Sequence, residues 1–287
     1  MPELPEIEIV KRSLSKMINK SKIDDIKIRN KNLRYKIPHQ FCKDLIGAKI
    51  LKITRRSKYL IFYFKKKILL VHLGMSGKIL IMRKSDNTLF KTSFYYNLNI
   101  IQKHNHIYFK LNNGLMLIYN DVRRFGFFKI YYNHQLNQIK FLKKLGLEPL
   151  SKKFDIKYFK KFILHKKKNI KNLLMDQTFI SGLGNIYVNE ALFVSKILPF
   201  RPCNSLNENE FKKLILNIRK ILKSSILKGG SSIKNYKNTL GESGNFQQFF
   251  RVYNRKNKKC SRISCKGKVL KIEIANRSSF YCNLCQI

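Results

Sequence analysis

Four cysteines crowd the C-terminal end of the chain in the pattern C-x4-C-x16-C-x2-C: Cys260, Cys265, Cys282 and Cys285. Four thiolates make a closed tetrahedral donor set for zinc, and both pair spacings fall in the usual range. With every position filled by protein, one such ion would stabilise structure and leave no place for a reacting group. Cys42 and Cys203 have no partner in sequence and read as ordinary buried thiols. At the other end the chain opens Met1-Pro2-Glu3-Leu4-Pro5-Glu6. Loss of Met1 would expose the secondary amine of Pro2. An α-amino group titrates near pH ~8, far below lysine, so part of it is free base at neutral pH. Such an amine can attack an electrophilic carbon and form an iminium, and Glu3 beside it can move protons.

These two ends must be positioned by the elements between them. Ile7, Val10, Leu14 and Met17 recur at steps of three and four, which predicts a helix after Pro5. Pro2 and Pro5 fall where a missing N–H costs nothing, and Glu3 and Glu6 suit the positive end of the helix dipole. From about Ala48 the period changes to short β-rich runs at 49–55, 59–64, 67–73, 78–83, 106–111, 115–119 and 126–131. Breakers separate them, among them Asn112-Asn113-Gly114, a hairpin signal. Strands at this spacing predict a β-sandwich or barrel. The polar stretch 84–103 reads as a long loop. A connector follows at 136–152, and helices are expected at 155–165, 169–176, 184–195 and 207–228, the last stopped by Gly229-Gly230. Between the cysteine pairs, Lys271–Ile274 alternates like a strand and Ser279–Tyr281 would return beside it, with Asn276 and Arg277 in the turn. The expected layout is α+β and multidomain: a helix and β-sandwich over 1–135, a linker over 136–152, a helical domain over 153–240 and a metal-bound segment over 241–287.

Sixty Lys and Arg stand against 16 Asp and Glu among 287 residues, a formal charge of +44, which points to a polyanionic partner, nucleic acid first. An A/T-rich genome also enriches Lys, Asn, Ile, Phe and Tyr, but it does not explain the scarcity of acids. Hydrophobic residues at 44% allow a packed core and argue against wholesale disorder. No apolar run is long enough to span a bilayer, so no membrane partner is expected. The acidic, Pro-rich opening is unlike a secretory signal, which predicts a cytoplasmic protein with reduced thiols.

Several motifs occur together in a fixed order. After the opening come Arg55-Arg56-Ser57-Lys58-Tyr59-Leu60, His72-Leu73-Gly74-Met75-Ser76-Gly77 and Asp121-Val122-Arg123-Arg124-Phe125-Gly126. Leu174-Met175-Asp176, Gly182-Leu183-Gly184-Asn185-Ile186-Tyr187 and the cysteine cluster follow. Over essentially its whole length the chain resembles the bacterial formamidopyrimidine-DNA glycosylases. The resemblance implies an N-terminal β-sandwich with its helix, a helix-two-turns-helix domain and a C-terminal zinc finger holding one structural zinc. It implies a monomer acting on double-stranded DNA with oxidised bases: it excises 8-oxoguanine and formamidopyrimidines, then cleaves the strand by β,δ-elimination. Pro2 would be the nucleophile, Glu3 the acid/base at the sugar, Lys58 a phosphate ligand and proton donor, and Arg277 the phosphate ligand serving δ-elimination. His104, Lys167, Lys171 and Asn185 would contact the DNA backbone. Met75, Arg123 and Phe125 would fill the gap left by the extruded nucleotide, and Ser231 to Lys234 would belong to a loop closing over the base.

Two departures stand out. The family usually spaces its first cysteine pair as C-x2-C, whereas Cys260 and Cys265 have four residues between them, and Val122 stands where a proline is common. Two rivals are an endonuclease VIII-like enzyme for oxidised pyrimidines and a catalytically decayed zinc-containing DNA-binding protein. Leu4, in place of the glycine typical of the first, and intact Pro2, Glu3 and Lys58 disfavour them.

Overall fold

The computed structural model describes residues 1–90, 101–163, 166–231 and 248–287. They form two compact units: Met1–Lys143 with the stretch beginning at Lys228, and Lys144–Leu227 with the stretch ending at Ile287.

The first unit starts with α1 (Leu4–Ile18), whose buried stripe runs Leu4, Ile7, Val10, Leu14 and Ile18. Strands β1 (Ile23–Ile28), β2 (Lys52–Arg56), β3 (Tyr59–Tyr63), β4 (Lys67–His72), β5 (Lys78–Arg83), β6 (Leu89–Phe90), β7 (Asn105–Leu111), β8 (Leu115–Asn120) and β9 (Phe127–Tyr132) follow, with α2 (Phe41–Leu45) after β1. They build a five-stranded sheet in the order β1-β7-β8-β5-β6 and a four-stranded sheet in the order β2-β3-β4-β9. All the strand pairs are antiparallel. One core of Ile26, Phe62, Leu69, Ile81, Phe109, Leu117 and Phe128 fills the sandwich, with the α1 stripe packed into it. A smaller cluster of Ile61, Ile68, Leu70, Phe127 and Ile139 covers the other face of β3 and β4, next to α3 (Lys140–Lys143).

The seven expected strands are all present, within a few residues of their predicted limits. Two strands of this unit, β1 and β6, were not expected, nor were the short helices α2 and α3. β1 is hidden because its register shifts between Ile23 and Asp25, which sets Ile23 and Ile26 three residues apart and breaks the alternation. Part of the stretch read as a loop over 84–103 is ordered: β6 pairs with β5, and Gln102–His104 is a single 3-10 turn. The rest of that stretch, 91–100, lies outside the described residues, as do Ser232, Ile233 and Lys234.

The second unit holds α4 (Ile156–Ile163), α5 (Ile170–Met175), α6 (Asn185–Ser195) and α7 (Glu208–Leu227), where helices were expected. Phe159, Phe179, Phe211, Leu214 and Leu222 lie in their common core. The cysteine-rich end forms a hairpin of β10 (Val269–Ile274) and β11 (Arg277–Cys282). Its turn is Ala275-Asn276, both at positive φ, so Arg277 opens β11 instead of sitting within the turn as predicted. No helix among the described residues is long and apolar enough to cross a membrane.

Candidate functional site

The start of α1 is buried. Pro2 and Glu3 are both covered, Glu3 being 3% exposed. The Glu3 backbone N–H donates to Glu6 Oε2 at 2.9 Å. The other oxygen of Glu6 accepts the Ser231 backbone N–H and hydroxyl, both at 2.8 Å. The N-terminal amine, carried by Met1, is held below its ordinary value of 8.0. Burial is the main cause; Glu3 and Glu6 pull the other way, and Lys58 and Arg123 add to the lowering. An amine so placed is more readily a free base at neutral pH, next to a carboxyl that can move a proton.

Lys58 occupies the two-residue turn between β2 and β3, after Ser57 at φ 56°, and is buried. Arg55 fixes that turn to α1. Its Nε donates to Glu8 Oε2 at 3.0 Å and its Nη1 to the Ser57 carbonyl at 2.9 Å. Glu8 is held below the ordinary carboxylate range by Lys11 and Arg55, against the opposing effect of burial. The arginine pair in the sequence motif is thus partly a scaffold for the lysine that follows it.

Met75 and Phe125 are exposed at 39% and 44%, although each lies between buried strands. Their loops meet on one carboxylate. Asp121, wholly buried, accepts from Ser76 Oγ at 2.5 Å, Tyr119 Oη at 2.8 Å, the Gly126 N–H at 2.9 Å and the Arg123 N–H at 3.2 Å. Its own N–H donates to the His104 carbonyl at 3.0 Å. The loops touch backbone to backbone: a Cβ on Gly74, which has φ +65°, would lie 2.4 Å from the Phe125 carbonyl carbon. Gly74 N–H donates to His72 Nδ1 at 3.1 Å. Burial first, then Lys58 and Arg34, push His72 down to about 4, so its ring is a neutral acceptor. The Arg123 guanidinium lies 4.6 Å from the Phe125 ring centre. With Asn32, Leu33, Arg34 and Arg124 these two residues line a basic concavity of about 580 Å³.

In the second unit three predicted site residues converge. Lys171 is 1% exposed, and its Nζ donates to Ser279 Oγ at 2.6 Å and the Ser278 carbonyl at 3.0 Å. Asn185, the first residue of α6, donates to the same Ser278 carbonyl at 2.9 Å. Burial and the nearby Arg277 bring Lys171 down to about 8. Arg277 is exposed beside them, next to the Ser278 carbonyl that the first residue of α6 grips. Lys167 is exposed before α5 and shares none of these contacts.

The four cysteines converge as expected, with all their Sγ atoms within 4.8 Å of one another. Cys260 and Cys285 are 3.7 Å apart, Cys265 and Cys282 3.6 Å. A tetrahedral ion with Zn–S bonds of ~2.3 Å sets its sulfurs ~3.8 Å apart, so the residues fit such an ion. Burial and the sulfurs of Cys282 and Cys260 push the Cys285 thiol up, the crowding that a cation relieves. The two extra residues of the C-x4-C loop are accommodated by Arg262, whose Nη2 donates to the carbonyls of Phe193 and Val194 at 2.9 and 3.0 Å. These lie in the last turn of α6, where a cation is favoured.

Sequence reasoning missed Asp121, Tyr119 and His72 as scaffolding, and Glu190. That glutamate lies inside α6 and accepts the N–H groups of Arg251, Val252 and Tyr253 at 2.8 to 3.0 Å. The signal for it was a single acid in a helix that carries no other charge.

Profiles of two domains match the chain: the formamidopyrimidine-DNA glycosylase N-terminal domain at residues 1–128 and its H2TH domain at residues 145–237. The formamidopyrimidine-DNA glycosylase of Bartonella tribocorum is 40% identical, with 100% of both chains covered. That of Rickettsia bellii is 37% identical over 100% of this chain and 99% of its own. Among solved structures, Lactococcus lactis Fpg in complex with abasic-site DNA is 36% identical, with a TM-score of 0.84 over 99% of both chains. A variant of that protein with DNA containing Fapy-dG gives a TM-score of 0.85 at the same identity. The two apposed loops, the buried helix start and the four-cysteine hairpin therefore sit in a DNA glycosylase fold, and the chain belongs to the formamidopyrimidine-DNA glycosylase family.

Proposed function

We propose that this glycosylase is bifunctional: it excises oxidised purines from duplex DNA and then cuts the strand at the resulting site. The observation that carries the reading is the buried N-terminal amine, held below 8.0 and set beside Glu3, Glu6 and Lys58. Once Met1 is removed, the terminal amine is the secondary amine of Pro2. Its nitrogen attacks C1′ of the damaged nucleotide, the bond from C1′ to the base breaks, and the base leaves with a proton. Glu3 protonates the ring oxygen as the sugar opens, which leaves an iminium between Pro2 and C1′. Loss of a C2′ proton expels the 3′ phosphate, with Lys58 holding phosphate and supplying a proton. A second elimination expels the 5′ phosphate, held by Arg277.

Extruding the nucleotide costs a few kcal/mol of unstacking. Met75 and Phe125, exposed on a rigid base, offset part of it by filling the gap, and Arg123 hydrogen-bonds the orphaned partner. His104, Lys167, Lys171 and Asn185 serve the backbone around the lesion, with Lys171 and Asn185 also presenting the Arg277 strand. The four-cysteine site holds one structural zinc, and the enzyme acts as a monomer.

Borohydride trapping on duplex carrying 8-oxoguanine opposite cytosine tests the reading. A covalent complex is expected, absent when Met1 is retained. Trapping at full yield with Met1 in place would overturn Pro2 as nucleophile. Trapping only on oxidised-pyrimidine duplex would overturn the purine assignment.

A further inference from the structure

The side of the five-stranded sheet turned away from the sandwich core carries a feature that the proposed reaction does not use. Along β1, β7, β8 and β5, core residues Ile26, Phe109, Leu117 and Ile81 alternate with residues on the opposite face. There Lys27 pairs with Tyr108, Asp25 with Lys110, Lys110 with Met116, and Met116 with Met82. Arg29 and Lys84 lie just beyond the ends of β1 and β5. Together they enclose a concavity of about 450 Å³, with Tyr108 and the two methionines among its lining.

Charge there is one-sided. Four cations and a single acid line the hollow. Asp25 accepts its own neighbour's N–H, from Ile26 at 2.8 Å. A minority of the surface cations are neutralised, among them Lys67 by Asp44, Lys160 and Lys212 by Glu208, Lys168 by Asp176 and Arg201 by Glu210. Among the described residues no ion pair involves Lys27, Arg29, Lys84 or Lys110. Unpaired cations around a half-buried aromatic ring are what a single nucleic-acid strand requires: phosphates take the charges, and an unstacked base takes the ring. A duplex hides its base faces and offers nothing to Tyr108, and a lipid surface does not enter a hollow.

We propose that this outer sheet face is a second DNA site, which binds a single-stranded segment with its phosphates on Lys27, Arg29, Lys84 and Lys110 and a base on Tyr108.

Fluorescence anisotropy of the full chain with labelled octathymidylate tests it, with the lesion site saturated by an abasic-analogue duplex. The oligonucleotide is expected to remain bound. Lys27→Gln with Lys110→Gln should weaken it and lower the salt slope by about 1.4, since each single-strand contact contributes about 0.7. Tyr108→Ala should weaken it about tenfold while Tyr108→Phe retains binding. Nicking of lesion duplex, and the thermal midpoint, should stay unchanged in the lysine and phenylalanine variants. Complete displacement by the duplex, equal affinity in the charge variants, or equally effective competition by decaglutamate would each overturn the proposal.

Discussion

Ser76 Oγ donates to Asp121 Oδ1 at 2.5 Å, across 45 residues of sequence. This bond joins the loop that presents Met75 to the loop that presents Arg123 and Phe125. The same carboxylate holds the Gly126 and Arg123 amides, so one buried group sets the spacing of three exposed side chains. Ser76→Ala removes one of four donors and should cost about 1 kcal/mol. Asp121→Asn turns an N–H pair toward groups that are themselves donors and should cost about 2–4 kcal/mol. Both are measured by urea unfolding. Because spacing and stability share one cause, Ser76→Ala should also weaken binding to abasic-analogue duplex more than to undamaged duplex. A Ser76→Ala protein with unchanged preference would show that Ser76 does not set the loops.

His72 makes stability depend on pH. Its folded value is about 4, against ~6.5 in an unfolded chain. Above pH ~6.5 both states are neutral and the group contributes no pH dependence. Between ~6.5 and about 4 the unfolded chain takes up a proton that the folded protein refuses, so stability falls as pH falls. The loss reaches at most about 3 kcal/mol. His72→Gln can still accept the Gly74 N–H but does not titrate. The stability gap between wild type and this variant should therefore shrink from pH 7 to pH 4. A gap constant across that range would exclude His72 as the titrating group.

The sequence carried the periodic and contiguous features and lost the ones made by distant contacts. The α1 stripe, the strand runs and the four-cysteine spacing are local, and each was readable. Asp121 stood inside a recognised motif, but its partners Ser76, Tyr119 and Gly126 reveal its task only once β5 and β8 are paired in one sheet and the chain has crossed to β9 in the other. β1 escaped because a bulge imitates a helical spacing of its isoleucines. Lys171 was expected as a contact to the DNA backbone, and nothing local in the sequence shows that its amine lies against the β10–β11 hairpin, which begins 98 residues later at Val269. Charge followed the same division: +44 pointed to a polyanion, whereas only the fold shows which cations lack a carboxylate.

The cysteine site should hold one ion per chain. Four thiolates within 4.8 Å of one another repel unless a cation sits among them. Chelation at neutral pH should release one zinc, and hydrogen exchange should then quicken at β10 and β11 while β7 and β8 stay protected. Cys265→Ser should reproduce the effect. If the hairpin amides kept their protection after complete removal of metal, the packing of Phe280 and Val252 with Phe193, and not the ion, would hold this segment.

Ser278 supplies one carbonyl to two donors, Lys171 Nζ and Asn185 Nδ2, at 3.0 and 2.9 Å. Arg277 is the residue before it, so these bonds aim the exposed guanidinium. Lys171→Met keeps the buried stem but leaves Ser278 with one donor and Ser279 Oγ without its 2.6 Å partner. The loss should be about 1–3 kcal/mol in stability, since hydrogen bonds to a charged donor are stronger than neutral ones. The lysine also resists burial, which is why its value falls to about 8. Between about 8 and ~10.4 the folded protein has released a proton that the unfolded chain retains. By linkage, wild type should gain stability relative to Lys171→Met as pH rises through that window. Functionally, an Arg277 that is no longer aimed should slow δ-elimination more than base release. Gel analysis would then show β-elimination product accumulating. Equal slowing of both steps would mean that Lys171 contributes binding alone and does not position Arg277.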